Sequence, residues 1–296
     1  MASRSRQSRT SAPYAQRIFR ALERVDAACD RTARLAADPI GPVRRYSSAE
    51  NLEIAGLVGA CLAFGNVKAL TAKVSDVFDR LGPDIARSAD DELGVFASMG
   101  GFTHRVYRGD DVARLVIGAR RVQRAHGSLE QRFVAALDRH GSLRPALAEW
   151  TTAVRSAGGL DVAGRTRRGA QHILPDPEKT SGCKRLLLYL RWMVRRDDGV
   201  DLGVWRRVSP SVLLVPVDTH LFKLSQNLAF TDRRAPSWET TEEITAALRE
   251  FDPDDPVRFD FPLCHLGMLQ RCPSRKDRVR CEGCGIKPVC RHWRAR

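Results

Sequence analysis

Residues 180–220 read TSGCKRLLLYLRWMVRRDDGVDLGVWRRVSPSVLLVPVDTH, and the reading of the whole chain turns on how this stretch changes character along its length. Leu187, Leu188, Leu190, Trp192, Met193 and Val194 recur at helical intervals behind Lys184, so the lysine opens a mostly buried helix. The position is unfavourable for a cation, because the positive end of the helix dipole, the apolar neighbours and the adjacent Arg185 all disfavour the ammonium. A lysine so placed is a candidate nucleophile, although a first-turn lysine is more commonly a snorkelling side chain. Further on, the apolar run 212–217, broken by Pro216, leads to Asp218 and to a second amphipathic run, Leu221, Leu224 and Leu228. Asp218 therefore reads as a helix N-cap.

The two residues gain weight from their surroundings. The segment Val215, Pro216, Val217, Asp218, Thr219, His220, with an amphipathic helix behind it and a helix-opening lysine upstream, resembles the helix-hairpin-helix base-excision DNA glycosylases. In the endonuclease III branch the lysine follows a tight LPGVG-type hairpin. Here LPDPEKTSGCK precedes it, and the wide separation of Lys184 from Asp218 looks more like the archaeal 8-oxoguanine glycosylase branch. The longer wording HILPDPEKTSGCKRLLLYLRWMVRRDDGVDLGVW is similar to an uncharacterised bacterial family related to that superfamily. The resemblance implies that Lys184 and Asp218 are catalytic and that Thr180, Ser181, Gly182, Arg185 and His220 meet DNA. It implies an all-α, two-lobed fold with DNA crossing the cleft: a bundle of residues 48–198 carrying Lys184, and a second lobe of 13–47 plus 199–271 carrying Asp218.

Outward from this stretch, 296 residues of which 43% are hydrophobic suffice for a sizeable core. The 49 Lys and Arg against 35 Asp and Glu leave a net charge of +14, which favours a polyanionic partner, nucleic acid first and an anionic membrane surface second; the glycosylase resemblance implies double-stranded DNA. The expectation is a single chain acting alone on DNA in the cytoplasm, at the nucleoid in a bacterium, with no membrane and no small-molecule substrate. No apolar run is long enough to span a bilayer. Residues 1–12, MASRSRQSRTSA, predict a disordered basic tail.

Apolar periodicity predicts helices near 14–37, 48–64, 68–81, 110–125, 129–139, 143–155 and 238–251, and another within PVRFDFPLCHLGML. Gly56 and Gly59 allow close packing of the second of these. Gly65 and Asn66 interrupt the next pair, where the resemblance suggests Asn66 as the residue that fills the gap left by an extruded base; a C-cap followed by an N-cap is the ordinary reading. Phe102, His104, Arg105 and Tyr107 form either a DNA-stacking cluster or an inter-helix loop. Residues 157–182, rich in Gly, Pro and Arg, read as a long loop reaching the site, whose amides at the helix start could hold a phosphate.

The tail CPSRKDRVRCEGCGIKPVC sets Cys272, Cys281, Cys284 and Cys290 in the pattern C-x8-C-x2-C-x5-C. Four thiolates suit zinc or a [4Fe-4S] cluster. The x2 and x5 spacings resemble the cluster loop of endonuclease III-type glycosylases, which implies a C-terminal [4Fe-4S] loop over 272–296, with zinc as the alternative. Cys264 and His265, just upstream, are close competitors for a ligand position, and Cys264 reads as a core residue. Together these readings predict a bifunctional glycosylase and abasic-site lyase that excises a damaged, 8-oxoguanine-like base through a lysine Schiff base. The alternative is a non-catalytic iron-sulphur or zinc-containing nucleic-acid-binding protein.

Overall fold

In a computed structural model, residues 12–36, 38–161, 168–179 and 182–294 are described. Among the described residues there are fifteen helices, with 61% of residues helical and 1% in strand, so the all-helical expectation holds at the level of class. In chain order they are α1 (Ala12–Ala27), α2 (Arg31–Leu35), α3 (Ile40–Val43), α4 (Ala49–Leu62), α5 (Val67–Leu81), α6 (Ile85–Ser88), α7 (Glu92–Ser98), α8 (Gly109–His126), α9 (Leu129–His140) and α10 (Leu143–Gly158). There follow α11 (Arg168–Ile173), α12 (Lys184–Val194), α13 (Thr219–Leu228), α14 (Trp238–Arg249) and α15 (Asp260–Gln270).

Apolar stripes and polar caps together explain most of these bounds. Ser48, Asn66, Ser128, Asp218 and Ser237 each accept a backbone N–H of the helix they precede, satisfying donors that have no partner inside it. The single helix expected over 14–37 is two, because the Asp30 carboxylate accepts from Ala33 N at 2.9 Å and starts α2 afresh. The Gly- and Pro-rich stretch 157–182 is not wholly loop: it contains α11, held down by buried Ala170 and Ile173. Phe102, His104 and Tyr107 are buried around a two-stranded hairpin, Thr103–His104 paired with Tyr107–Arg108, so they belong to the inter-helix connection and offer no DNA-stacking face.

Two sets of helices support the site. α8 packs on α9 and α10, and α4 packs on α8 and on α12; α13 packs on α15, which in turn packs on α1. One continuous apolar cluster, from Ile18 to Val289, runs through both sets. α4 and α12 are buried almost all round, and their axes approach because Gly56 has no side chain: a Cβ there would stand 2.5 Å from Met193 Cε. Of the expected domain segments, residues 1–11 lie outside the described residues.

Candidate active site

Lys184 is the first residue of α12, and the ten residues that follow it in that helix are buried. The lysine alone of this helix is half-buried, at its open end. Cys183 turns the chain into the helix in the left-handed region, at φ 47°, and its carbonyl accepts from Leu186 N at 2.9 Å. Asp218 arrives differently. The run 213–217 is buried, with Val215 N donating to Thr245 Oγ1 on α14 at 3.0 Å, and Pro216 needs no partner for a missing N–H. Asp218 then caps α13, its Oδ1 accepting from His220 N at 2.9 Å and Leu221 N at 2.7 Å.

Both residues line one cleft of about 530 Å³. From α15, the Cys264 thiol donates to Asp218 Oδ2 at 3.1 Å, so every oxygen of the carboxylate that caps α13 has a donor. Burial pushes this thiol's pKa well above its ordinary value, the charges of Asp218 and Asp260 push it further, and the nearby Lys184 ammonium opposes them. The thiol thus keeps its proton at neutral pH and is a hydrogen-bond donor to Asp218. Cys264 had read as a core residue; α15 instead turns it into the cleft. The approach of α13 to α15 that makes this contact depends on Gly267, where a Cβ would stand 2.9 Å from His220 Cβ.

One turn before Cys264, Asp260 also lines the cleft, and sequence reasoning missed it. The i, i+4 spacing of Asp260 and Cys264 on a predicted helix was the available signal. Asp260 pairs with buried Arg191, which also donates to Asp201 at 3.1 Å, and Arg195 joins Asp201, Asp198 and Asp255 to the same network. Burial, with the Asp218 charge adding to it, holds the Asp260 carboxyl up to about 6 against the pull of Arg191. Asp38, His172, His265 and Phe64 complete the polar and aromatic lining that the sequence did not disclose.

The remaining candidates divide. His220 lines the cleft with Asp218 and Lys184. Arg185 touches it too, but is buried, its guanidinium donating to Cys61 O at 2.7 Å, His172 O at 2.6 Å, Ile173 O at 3.3 Å and the Tyr107 hydroxyl. Its donors tie α4, α11 and the hairpin together, which makes it a brace of the cleft wall. Asn66 is exposed and caps α5 through Ala69 N at 3.2 Å, beside cleft residues Phe64 and Gly65. Gly182 packs on Ser237, to which a Cβ would come within 3.3 Å. Thr180 and Ser181 lie outside the described residues.

Away from the cleft, Cys272, Cys281, Cys284 and Cys290 line one small cavity together with Asn227, His292 and Trp293. All four are free thiols, and the Asn227 amide donates to Cys272 Sγ at 3.2 Å. Among the described residues no three His, Cys, Asp or Glu side chains are grouped as ligands of a metal ion. Lys276 and Lys287 stand 4.8 and 4.5 Å from the centre of the Trp293 ring beside this cavity.

A family model described as a protein of unknown function (DUF2400) matches residues 38–269, well over half of the chain. The match takes in every cleft residue named above and ends before the four cysteines of the tail. No curated protein matches, and no solved structure matches.

Proposed function

The chain belongs to the DUF2400 family of proteins of unknown function, and we propose that its cleft is the active site of a DNA-repair glycosylase with abasic-site lyase activity, built on a helix-hairpin-helix-like, two-lobed arrangement. The observation that carries this reading is that an amine and a carboxylate from the N-termini of α12 and α13, far apart in the chain, line the same cleft. Its volume of about 530 Å³ suits a small ligand or a single flipped nucleotide.

In this mechanism a damaged base is turned out of the duplex into the cleft. The Lys184 amine attacks C1′ of the sugar; the new C–N bond forms as the glycosidic bond breaks, and its electrons leave with the base, which takes up a proton. The C1′–O4′ bond then opens, O4′ is protonated, and the nitrogen lone pair forms a Schiff base. Loss of a C2′ proton expels the 3′ phosphate by β-elimination and cuts the strand. Asp218 faces the sugar as positive charge develops there, and its fixed backbone and thiol donors hold it in place without reorganisation. His220 and the amides at the start of α12 suit phosphate contacts, as helix N-termini do.

The basic surface fits the polyanionic partner. Arg275, Lys276, Arg278, Arg280, Arg291 and Arg294 are exposed around the four-cysteine segment. Cys272, Cys281, Cys284 and Cys290 would hold a [4Fe-4S] cluster, with zinc as the alternative donor match. Four unpaired thiols on one cavity, one of them receiving an amide N–H, are the donor chemistry such a cluster takes. When bound, the group closes the C-terminal loop rigidly and so presents those cations to a phosphate backbone.

The test is borohydride trapping on duplexes bearing a single lesion and on a preformed abasic site. A covalent protein–DNA adduct that disappears in Lys184→Gln is expected. Adduct and turnover undiminished in that variant would remove the lysine from the mechanism.

A further inference from the structure

Within the cleft, the protein itself fixes the hydrogen-bonding state of one polar group that the mechanism above does not use. His172, near the end of α11, lines the cleft half-buried. Its Nδ1 lies 2.8 Å from the Tyr107 hydroxyl and 3.4 Å from a guanidinium nitrogen of Arg185. A guanidinium has donors only, and Arg185 also donates to the Tyr107 oxygen, so the hydroxyl's own proton is free to turn to His172. Both neighbours of Nδ1 are then donors, and Nδ1 is an acceptor. In a neutral imidazole the single ring proton therefore sits on Nε2. Burial, with the Arg185 and Arg168 charges added, lowers the ring's pKa to about 4 and keeps it neutral at pH 7. Phe64 stands edge-on to the ring at 5.4 Å and holds its tilt. No described residue is seen bonded to Nε2.

We propose that His172 reads the base: its Nε2–H donates to a carbonyl oxygen on the edge of the flipped nucleobase and selects an oxo base over one with an amino group there. The inference rests on the glycosylase reading, which is what brings a base into the cleft. The physical ground is that an amino group would set donor against donor in a partly desolvated site. An unpaired donor of that kind disfavours the wrong base on the order of 10- to 100-fold. The Arg185 guanidinium, which has donors only, opposes a switch of tautomer that would let the ring accept from an amino group instead. Uracil against cytosine, and hypoxanthine against adenine, differ in this respect, and oxidised purines carry an added carbonyl.

The experiment uses the full chain with 15N-labelled histidine, His172 being assigned by the signal missing in His172→Gln. At pH 7 one ring nitrogen is expected protonated and the other not, and the protonated one is expected to shift on titration with free uracil or hypoxanthine but not with adenine or purine, which carry no carbonyl oxygen. Equal shifts with both sets, or none with either, overturn the inference. On DNA, His172→Phe is expected to lower the ratio of 8-oxoguanine or uracil excision to abasic-site trapping on the order of 10-fold or more; an unchanged ratio overturns it. Trapping of the wild-type chain on an abasic site, which has no base to read, tests the enzyme reading apart. Trapping without preference for oxo bases sinks the role of His172 and keeps the enzyme. Preference without trapping keeps that role in a base-binding cleft and sinks the lyase.

Discussion

Replacing Arg191 by Met measures how far the charge network beneath the cleft sustains the site. The Arg191 side chain is 3% exposed and pairs with Asp201, 0% exposed, and with Asp260, 5% exposed. Met fills much of the same space, so the variant removes charge while leaving little cavity. Asp201 keeps Arg195, but Asp260 loses the guanidinium that holds it. Breaking a buried pair in this way costs about 3–5 kcal/mol, and at about 2 °C per kcal/mol for a chain of this size the Tm falls by about 6–10 °C. The penalty depends on pH with a definite sign. Burial has raised Asp260 to about 6 from an ordinary 3.8, so between those values the folded chain binds a proton that the unfolded chain has released. The stability this group contributes is greatest below about pH 4 and is lost as pH rises through about 6. Without Arg191 the carboxyl rises further, and each added unit extends the loss by about 1.4 kcal/mol. Thermal unfolding at pH 5 and pH 8 should therefore show the larger drop at pH 8. Adding Asp260→Asn to the variant, which removes the stranded charge, should recover most of that drop. Equal losses at the two pH values with no recovery in the double variant would refute the reasoning.

Gly267→Ala places a Cβ 2.9 Å from His220 Cβ; about 1–3 kcal/mol of destabilisation is expected by thermal melt, together with weaker trapping as α13 moves off Cys264. Asp218→Asn keeps the cap and Asp218→Ala loses it, so the alanine variant should unfold with about 1 kcal/mol less stability while both lose trapping by about 10² or more; full trapping in Asp218→Asn would reduce the residue to a cap. Anaerobically purified protein should carry about four irons per chain, and Cys284→Ser should lose them and weaken duplex binding; stoichiometric zinc without iron would decide for the alternative. Affinity for undamaged duplex should fall with salt at a log-log slope of about −0.9 per phosphate neutralised, and a flat dependence would point to another partner.

Among the described residues no helix is long and apolar enough to cross a membrane, as the sequence had suggested. Much of the helical framework was equally legible, since period and caps are local: α4, α5, α8, α9, α10, α12, α13 and α14 all lie close to where apolar spacing and Ser, Asn or Asp caps put them. The short helices α3, α6, α7 and α11 were not seen, because four to seven residues hold too few periods to register and depend on the packing around them.

For the site, the sequence by itself determined the helix openings at Lys184 and Asp218 and the four-cysteine tail, each a signal carried within a few neighbouring residues. Only the tertiary structure decided what surrounds them. Cys264 reads as one more apolar position on its helix until α15 packs on α13 and turns its thiol to Asp218. Arg185 reads as a free cation until the carbonyls of Cys61, His172 and Ile173 converge on it. Asp260 and His172 read as ordinary polar residues until burial moves their proton affinities in opposite directions. Desolvation and hydrogen-bond geometry depend on residues brought together from distant parts of the chain, and periodicity along the sequence carries no record of that encounter.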